Sequence, residues 1–148
     1  MLITPEFGPR VRISEIFTNM PLDHDKPKKF GATEFCDICR RCYDACPVDA
    51  IIDGSPTDSG HNQSNLNGDV KWTTNCEKCF GYWTAPRTDC TICMRVCPYN
   101  KDFSKWYLKV ARWLAGTMLR RFMLWLDVKI GFGERDAPQK WWSGGYLM

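Results

Sequence analysis

The chain has few of the features that carry a protein into or across a membrane. No uninterrupted apolar run approaches the about 18 to 20 residues that a bilayer span requires, because basic residues interrupt the richest stretch at Lys109, Arg112, Arg120 and Arg121. Residues 1–12 lack a basic segment followed by an apolar one, and they contain no pair of adjacent arginines. We therefore expect no export signal in this stretch.

The chain also carries little net charge, +3 at pH 7 over 148 residues. A total this small is not typical of proteins that bind nucleic acid, so we expect no nucleic-acid partner. Hydrophobic residues make up 44% and aromatic residues 14% of the chain, which excludes collagen-like and wholly disordered proteins. The charge is uneven, because residues 31–100 are net acidic and residues 101–148 are net basic.

The chain also lacks an even number of cysteines. It has nine, so the thiols cannot all pair in disulfides. The first run is Cys36-x-x-Cys39-x-x-Cys42-x-x-x-Cys46-Pro47. This spacing is typical of bacterial ferredoxins that hold 4Fe-4S clusters. The second run, Cys90-x-x-Cys93-x-x-x-Cys97-Pro98, lacks its first cysteine, which Cys76 or Cys79 could supply. Two clusters need eight thiolates. Zinc and disulfides are the alternatives, but the third cysteine and the Cys-Pro pair exceed what a tetrahedral zinc site needs.

The spacing also predicts which cysteines hold which cluster. Cysteines at i, i+3 and i+6 surround one cluster, and the cysteine at i+10 lies about one helical turn later and reaches the other cluster. Cluster I is therefore expected to be bound by Cys36, Cys39, Cys42 and Cys97. Cluster II is expected to be bound by Cys46, Cys90, Cys93 and Cys79. We prefer Cys79 to Cys76 because it is closer to the second run and precedes an aromatic segment at residues 80–83.

These patterns predict an α+β fold, a bacterial dicluster ferredoxin-like domain with a C-terminal amphipathic helix and a Trp-rich tail. Short strands are expected at residues 51–52 and 70–73, separated by a polar loop. The helix is expected from Lys105 to Leu126, ending at Gly131 and Gly133. Its apolar stripe predicts a cover packed over the core rather than a membrane-surface helix; the stripe comprises Trp106, Val110, Trp113, Leu114, Thr117 and Met118. The aromatic tail, with Trp141 and Trp142, is expected to dock on another surface.

Beyond the cysteines, several segments resemble one family, the corrinoid-dependent reductive dehalogenases, over almost the whole chain. These segments are residues 2–12, Phe17-Thr18, Pro21-Leu22, Lys26-Pro27, Cys79-Phe-Gly-Tyr-Trp83, Cys97-Pro-Tyr-Asn-Lys101, Leu126-Asp127, Gly131-Phe-Gly and Trp141-Trp142. The resemblance is to the C-terminal portion of such proteins. It implies that the chain is a fragment, since the family's corrinoid-binding region with its catalytic Tyr and its export signal lie upstream of what corresponds to Met1.

The resemblance implies three regions. Residues 1–30 would be the end of a nitroreductase-like corrinoid-binding domain, residues 31–100 the dicluster 4Fe-4S domain, and residues 101–148 a helical cover and tail. It implies an oxidoreductase that passes electrons through two 4Fe-4S clusters to a cobalamin-type corrinoid, whose reduced cobalt removes halogen from an organohalide. Arg12 would be the catalytic arginine, while Arg10 and Trp83 would contact the cofactor or substrate pocket. Charge pairing at a domain boundary is the equally weighted alternative for both arginines.

The resemblance also implies partners and a location. The substrate would be an organohalide, an electron donor would supply the electrons, and a small integral membrane protein would anchor the enzyme. The family works on the outer face of the cytoplasmic membrane, in organohalide respiration. Two other functions remain open: a free-standing ferredoxin-like electron carrier, and an enzyme similar to epoxyqueuosine reductase, which also joins cobalamin to two clusters.

Overall fold

The computed structural model describes residues 2–23, 25–26, 28–85 and 90–132. The described residues form two compact units, one from the ranges up to residue 39 together with 98–130, and the other from the ranges between residues 40 and 97 together with 131–132. Unit 1 contains helices α1, α5 and α6, and unit 2 contains α2, α3 and α4. Their bounds are α1 Ala32–Cys39, α2 Arg41–Asp44, α3 Cys76–Thr84, α4 Ile92–Arg95, α5 Trp106–Ala115 and α6 Arg120–Ile130.

Unit 1 is organised around the buried ring of Tyr99. Phe30 and Phe35 meet this ring edge-on, with centroid distances of 5.9 and 5.5 Å, and Phe103 lies 6.5 Å away. Edge-to-face aromatic pairs add about 0.5–1.5 kcal/mol beyond the area that they bury. The guanidinium of Arg112, on α5, lies 5.0 Å above the ring of Phe103. Aromatic packing therefore joins α1 and α5 to the segment that follows Cys97.

A buried ion pair closes the same unit. Asp127, on α6, is buried, and its carboxylate accepts from the ammonium group of Lys101. The carbonyl of Lys101 in turn accepts from the guanidinium of Arg10 at 2.9 Å. Removing one partner of a buried pair costs about 3–5 kcal/mol, because the other charge is left uncompensated. The Lys101–Asp127 pair thus fixes α6 against the segment before α5.

The prediction of one continuous helix from Lys105 to Leu126 is wrong, because α5 ends at Ala115 and α6 begins at Arg120. Between the two helices, the hydroxyl of Thr117 donates to the carbonyl of Leu114 at 2.6 Å. At the same place, the backbone of Gly116 passes close to that of Phe30 and Gly31. A Cβ on Gly116 would lie 3.0 Å from the carbonyl oxygen of Phe30. The chain turns here because a glycine lets two backbones pack together. As predicted, α6 ends at a glycine, Gly131, with a φ of 76°.

The apolar stripe on α5 does not form the predicted cover. Trp106 is 76% exposed, Trp113 is 69% exposed, and Met118, just beyond the helix, is 95% exposed. The side of α5 that packs inward carries Ala115, which is buried. Leu114 and Thr117 of the stripe are half-buried, but its two tryptophans and Met118 point outward. None of the helices in the described ranges has the length and apolarity of a membrane span. The predicted tail, with Gly133, Trp141 and Trp142, lies outside the described residues.

Unit 2 contains the segments that were expected to form two strands. They meet only at isolated antiparallel bridges, Ile51 with Thr74 and Thr57 with Lys71. The amide of Ile52 donates to the carbonyl of Thr73 at 3.2 Å. The described part of the chain therefore consists of helices, turns and bridges without a regular strand. The prediction of strands at residues 51–52 and 70–73 is therefore wrong, because these segments meet only at single bridges and form no strand.

We predict that Gly31→Ala destabilises the protein, because Gly31 has a φ of 82° and its Cβ would lie 2.3 Å from the Cα of Gly116. The expected loss in free energy of unfolding, measured by urea denaturation, is about 2 kcal/mol or more. Gly81→Ala is the control, since Gly81 lies within α3 and a Cβ there meets nothing within 4 Å. That control should be neutral or stabilising. Equal effects of the two changes would contradict this packing.

Candidate iron–sulfur site

The Cys-x-x-x-Cys-Pro ends of the two cysteine runs form a structural repeat. Cys42 lies on α2 and Cys93 on α4, and these two four-residue helices pack against each other. Each helix is followed by a cysteine whose amide donates to a carbonyl three residues earlier, from Cys46 to Tyr43 at 3.0 Å and from Cys97 to Met94 at 3.3 Å. Both Cys-x-x-x-Cys-Pro segments therefore adopt the one-turn geometry that their spacing predicts.

The thiols expected to bind cluster II converge within unit 2. Burial raises the pKa of the Cys79 thiol, and the charges of neighbouring thiols raise it further, in the order Cys90, Cys46 and Cys76. Burial also raises the pKa of the Cys93 thiol, and so do nearby thiols, Cys90, Cys42 and Cys79. Thiolates this close repel one another unless a cation lies among them. The raised pKa therefore favours the protonated thiols in the cluster-free chain, and a cluster would have to displace these protons on binding.

Cys76 and Cys79 differ in their surroundings. Asn75 caps the start of α3, and its side-chain oxygen accepts from the amide of Lys78 at 3.0 Å. The sulfur of Cys76 accepts from the side-chain amide of Asn65 at 3.1 Å and lies 3.6 Å from the carbonyl oxygen of Thr74. The polar loop therefore engages the Cys76 sulfur, whereas the thiol of Cys79, one turn along α3, is close enough to Cys90 and Cys46 for their charges to raise its pKa.

A backbone donor is directed at one of these sulfurs. The amide of Ala50 lies 3.2 Å from the sulfur of Cys46 and donates to it. Asp49, immediately before it, has a φ of 48°, which turns the chain back toward the cysteine. Hydrogen bonds to sulfur stabilise the more negative, reduced state of a cluster and raise its reduction potential. This turn therefore directs a backbone donor at whichever cluster Cys46 binds.

The cysteines expected to bind cluster I are divided between the two units. Cys36 and Cys39 lie on α1 in unit 1, while Cys42 and Cys97 belong to unit 2. Burial raises the pKa of the Cys42 thiol, and Cys97 is buried. No disulfide joins any of the nine cysteines, all of which fall within the described ranges.

The three residues expected to contact cofactor or substrate occupy different environments. Arg10 donates to the carbonyl of Lys101, so its guanidinium has a structural contact in unit 1. Arg12 is exposed and forms no hydrogen bond or ion pair with another described residue. Trp83 lies near the end of α3 in unit 2 and is partly exposed. The catalytic and pocket roles of these residues remain predictions.

Sequence reasoning missed the residues that support the cysteines. Asn75 had a recognisable signal, because Asn directly before a helical segment is a favoured cap. Asn65 had no such signal, since its contact with Cys76 depends on how the polar loop folds back. The donor at Ala50 is a backbone group, and spacing alone does not reveal its direction.

The number and spacing of the cysteines along the chain, rather than a preformed set of donors, favour a cluster over a single ion. Around one tetrahedral zinc ion, thiolate sulfurs lie about 3.8 Å apart, given a Zn–S distance of about 2.3 Å. Within the described residues, no three Cys, His, Asp or Glu side chains have the spacing that a single ion needs. A cube receives each thiolate at a different iron and so accepts wider spacing. The convergence of Cys46, Cys79, Cys90 and Cys93 is compatible with such a group.

Comparisons with known proteins agree with this site. Residues 35–100 match the family of 4Fe-4S double cluster binding domains. The tetrachloroethene reductive dehalogenase of Sulfurospirillum multivorans is 40% identical over 144 residues, which cover 96% of this chain and 28% of that protein. The epoxyqueuosine reductase of Atelocyanobacterium thalassa is 33% identical over 121 residues, covering 70% of this chain and 33% of that protein.

A solved structure, a reductive dehalogenase described as acting in B12-dependent dehalogenation, matches with a TM-score of 0.74 and 28% sequence identity. The match covers 90% of this chain and 19% of that one. The chain thus spans about 28% of the length of its Sulfurospirillum multivorans relative. Two 4Fe-4S clusters are the cofactors that the double cluster domain carries.

We predict that the cluster-free protein loses stability at alkaline pH. Folding raises the pKa of the Cys42, Cys79 and Cys93 thiols, so the folded chain holds protons that the unfolded chain releases near pH 8.5, roughly the value of a free thiol. Stability is therefore full below that pH and falls as the pH rises through it. Urea denaturation between pH 7 and 10 measures the effect. In the Cys93→Ser variant, the free energy of unfolding should fall less as the pH rises, because one of the three thiols is absent. A free energy of unfolding that does not change with pH would contradict the prediction.

Proposed function

Because the chain belongs to the reductive dehalogenase family, we propose that it is the electron-relay portion of such an enzyme. In this role its two clusters pass single electrons toward a corrinoid held mainly by the remainder of the protein. The observation that carries the proposal is the convergence of the four cluster II thiols within unit 2, in a chain that is 40% identical to a tetrachloroethene reductive dehalogenase.

For cluster II, we assign the ligands Cys46, Cys79, Cys90 and Cys93. Cys79 supports the assignment because Cys90 and Cys46 are the two thiols that raise its pKa most. Cys76 is near as well, but its sulfur is held by Asn65. The hydrogen bond from the Ala50 amide to Cys46 belongs to this cluster.

For cluster I, we keep the ligands Cys36, Cys39, Cys42 and Cys97. The support is the repeat of α2 and α4, in which Cys42 corresponds to Cys93 and Cys46 corresponds to Cys97. If the third cysteine of each run binds its own cluster, the cysteine one turn later binds the other. Two clusters that exchange ligands in this way are neighbours, and this proximity suits electron transfer.

The corrinoid, when bound, supplies a reduced cobalt centre that removes halogen from an organohalide. This chain's own contribution would be limited to the edge of that pocket. We propose that Arg12 assists at the reacting halogen and that Arg10 and Trp83 support the cofactor. Arg12 suits this role because its guanidinium is exposed and uses no partner among the described residues. Arg10, by contrast, already donates to the carbonyl of Lys101 and so has the positioning role.

The partners follow from the same family. We propose an organohalide as substrate, a separate electron donor, and a small integral membrane protein as anchor at the outer face of the cytoplasmic membrane. The exposed aromatic side of α5, with Trp106 and Trp113, is compatible with an anchored protein, since it is not used inside unit 1. The basic residues Lys105 and Lys109 lie beside these side chains.

Two alternatives receive less support. An epoxyqueuosine reductase would also need two clusters and a cobalamin, but that relative matches 70% of the chain, whereas the dehalogenase matches 96%. A free-standing electron carrier does not account for the many large apolar side chains that unit 1 exposes.

We predict that anaerobic reconstitution yields about eight iron and eight sulfide per chain. Cys79→Ala should lower the iron content toward about four and abolish the cluster II signal in electron paramagnetic resonance. Cys76→Ala is the matched control, one turn away on the same helix, and should retain both clusters. If Cys76→Ala loses the cluster and Cys79→Ala keeps it, the ligand assignment must be reversed. Bound zinc with four or fewer irons would exclude two clusters.

The relay itself can be tested in a full-length hybrid, in which this chain replaces the matching 144 residues of the Sulfurospirillum multivorans relative. With reduced methyl viologen and tetrachloroethene, the hybrid should release chloride, and Cys79→Ala should lower the turnover rate at least about tenfold. The isolated chain supplied with cobalamin should be inactive.

Cys76→Ala in the same hybrid controls for disturbance of α3 and should leave turnover near the parent value. Corrinoid content is measured alongside, so that loss of cofactor is distinguished from loss of electron transfer. Full turnover in a Cys79→Ala hybrid that lacks cluster II would show that electrons reach the corrinoid without it, and the relay proposal would fail.

A further inference from the structure

Asn75 lies between the two segments of unit 2 that carry Cys46 and Cys79. Its main-chain amide donates to the carbonyl of Ala50 at 2.7 Å, and its main-chain carbonyl accepts from the amide of Cys79 at 3.1 Å. The amide of Ala50 in turn donates to the sulfur of Cys46 at 3.2 Å. Asn75 therefore contacts the backbone of one cysteine directly, and it contacts the residue that donates to the sulfur of the other.

The position of Ala50 depends on this contact. Ala50 is 1% exposed, and the next residue, Ile51, forms an antiparallel bridge with Thr74, directly before Asn75. A buried residue cannot shift without displacing its neighbours, because protein interiors are close-packed. The direction of the Ala50 amide toward the sulfur is therefore set together with the position of Asn75.

The side chain of Asn75 fixes the start of α3, the helix that carries Cys79. Its carboxamide oxygen accepts from the main-chain amide of Lys78 at 3.0 Å and from the side-chain amide of Asn62 at 3.1 Å. An amide oxygen has two lone pairs, so both are used. The bond from Lys78 caps the helix, because it satisfies an amide that has no partner within the helix. The bond from Asn62 holds the capping oxygen in place.

The polar loop that contains Asn62 is attached to the same segment. The main-chain amide of Asn62 donates to the side-chain oxygen of Asn65 at 3.3 Å, and the side-chain amide of Asn65 donates to the carbonyl of Thr74 at 2.9 Å. These contacts are made by neutral side chains beside a group of thiols. A carboxylate in the same place would repel the thiolates that a cluster needs, so asparagine suits this position better than aspartate.

We propose that Asn75 is a positioning residue for cluster II. It holds the helix that carries Cys79 against the turn that directs the Ala50 amide at Cys46, and this contact sets the reduction potential of the cluster. The physical reason is that a hydrogen bond to a ligand sulfur favours the more negative, reduced state and weakens as its donor moves away. The inference rests on the proposed function, because it takes Cys46 and Cys79 to be ligands of one cluster.

A redox titration of the reconstituted chain, followed by electron paramagnetic resonance, tests this role. All nine cysteines remain in Asn75→Ala, so the iron content should equal that of the parent. The reduced fraction of cluster II at a fixed potential should fall about tenfold, a shift of about 59 mV for a one-electron couple. Asn75→Ser, which keeps a neutral capping oxygen, should have a potential close to that of the parent. Equal potentials in Asn75→Ala and the parent would overturn the proposal.

Hydrogen exchange, measured by mass spectrometry, distinguishes a link between two segments from a helix cap alone. In Asn75→Ala, exchange should become at least about tenfold faster in residues 76–79 and also in residues 49–51, which are distant in sequence. Asn67→Ala is the control, because Asn67 belongs to the same loop but accepts from the amide of Gly60. It should leave exchange in both segments unchanged. Faster exchange confined to residues 76–79 would make Asn75 an ordinary cap and overturn the proposal.

Asn62→Ala is a milder change, which keeps the proposal testable if Asn75→Ala does not fold. It removes one of the two hydrogen bonds to the Asn75 oxygen and should shift the potential of cluster II in the same direction by a smaller amount. Added to Asn75→Ala, it should cause no further shift, because its effect passes through Asn75. Additive shifts would show that the loop acts on the cluster by another route and would overturn the proposal.

A failure of this role is distinguishable from a failure of the proposed function. Neither the potential nor the exchange rate depends on turnover, so both respond to Asn75→Ala even if electrons reach the corrinoid without cluster II. A cluster II that survives Cys79→Ala would refute the ligand assignment. An unchanged potential in Asn75→Ala, with cluster II lost in Cys79→Ala, would refute the positioning role alone.

Discussion

The crowding of thiols in unit 2 is the constraint on which the function of this chain depends. Each of Cys79 and Cys93 has its pKa raised by burial and by other thiols at the same site. Removing a thiolate from water and placing it beside another thiolate both oppose ionisation, so the cluster-free folded chain keeps these thiols protonated, and iron has to displace the protons when it binds. Iron reverses the sign of this interaction, and metal binding thereby becomes part of the folding free energy.

Two kinds of support keep these ligands in place within unit 2. The short helices α2 and α4 pack together and set Cys42 and Cys93 one turn before the next cysteine. Around them, the polar loop folds back through Asn65, and the turn at Asp49 directs the Ala50 amide to a sulfur. Rigid ligands and oriented donors together lower the reorganisation that accompanies electron transfer and tune the potential.

Much of this arrangement could be predicted from the cysteine spacing. The one-turn relation between paired cysteines is a local property, because it depends on 3.6 residues per turn and on a following proline. The helix from Lys105 to Leu126 shows where local reasoning fails. Its periodicity is real, but whether the chain continues at Gly116 depends on the backbone at Phe30, which is distant in sequence. The direction of the Trp106 stripe likewise depends on which side of α5 permits close packing.

By itself, the sequence determined the number and kind of metal ligands, their grouping into two runs, and the acidic and basic halves of the chain, since these follow from residue types and spacing. Only the tertiary structure decided that other thiols raise the pKa of Cys79 while Asn65 engages Cys76, and that two helices replace one. The physical reason is that spacing constrains neighbours along the chain, whereas burial, repulsion and backbone approach depend on contacts between distant segments.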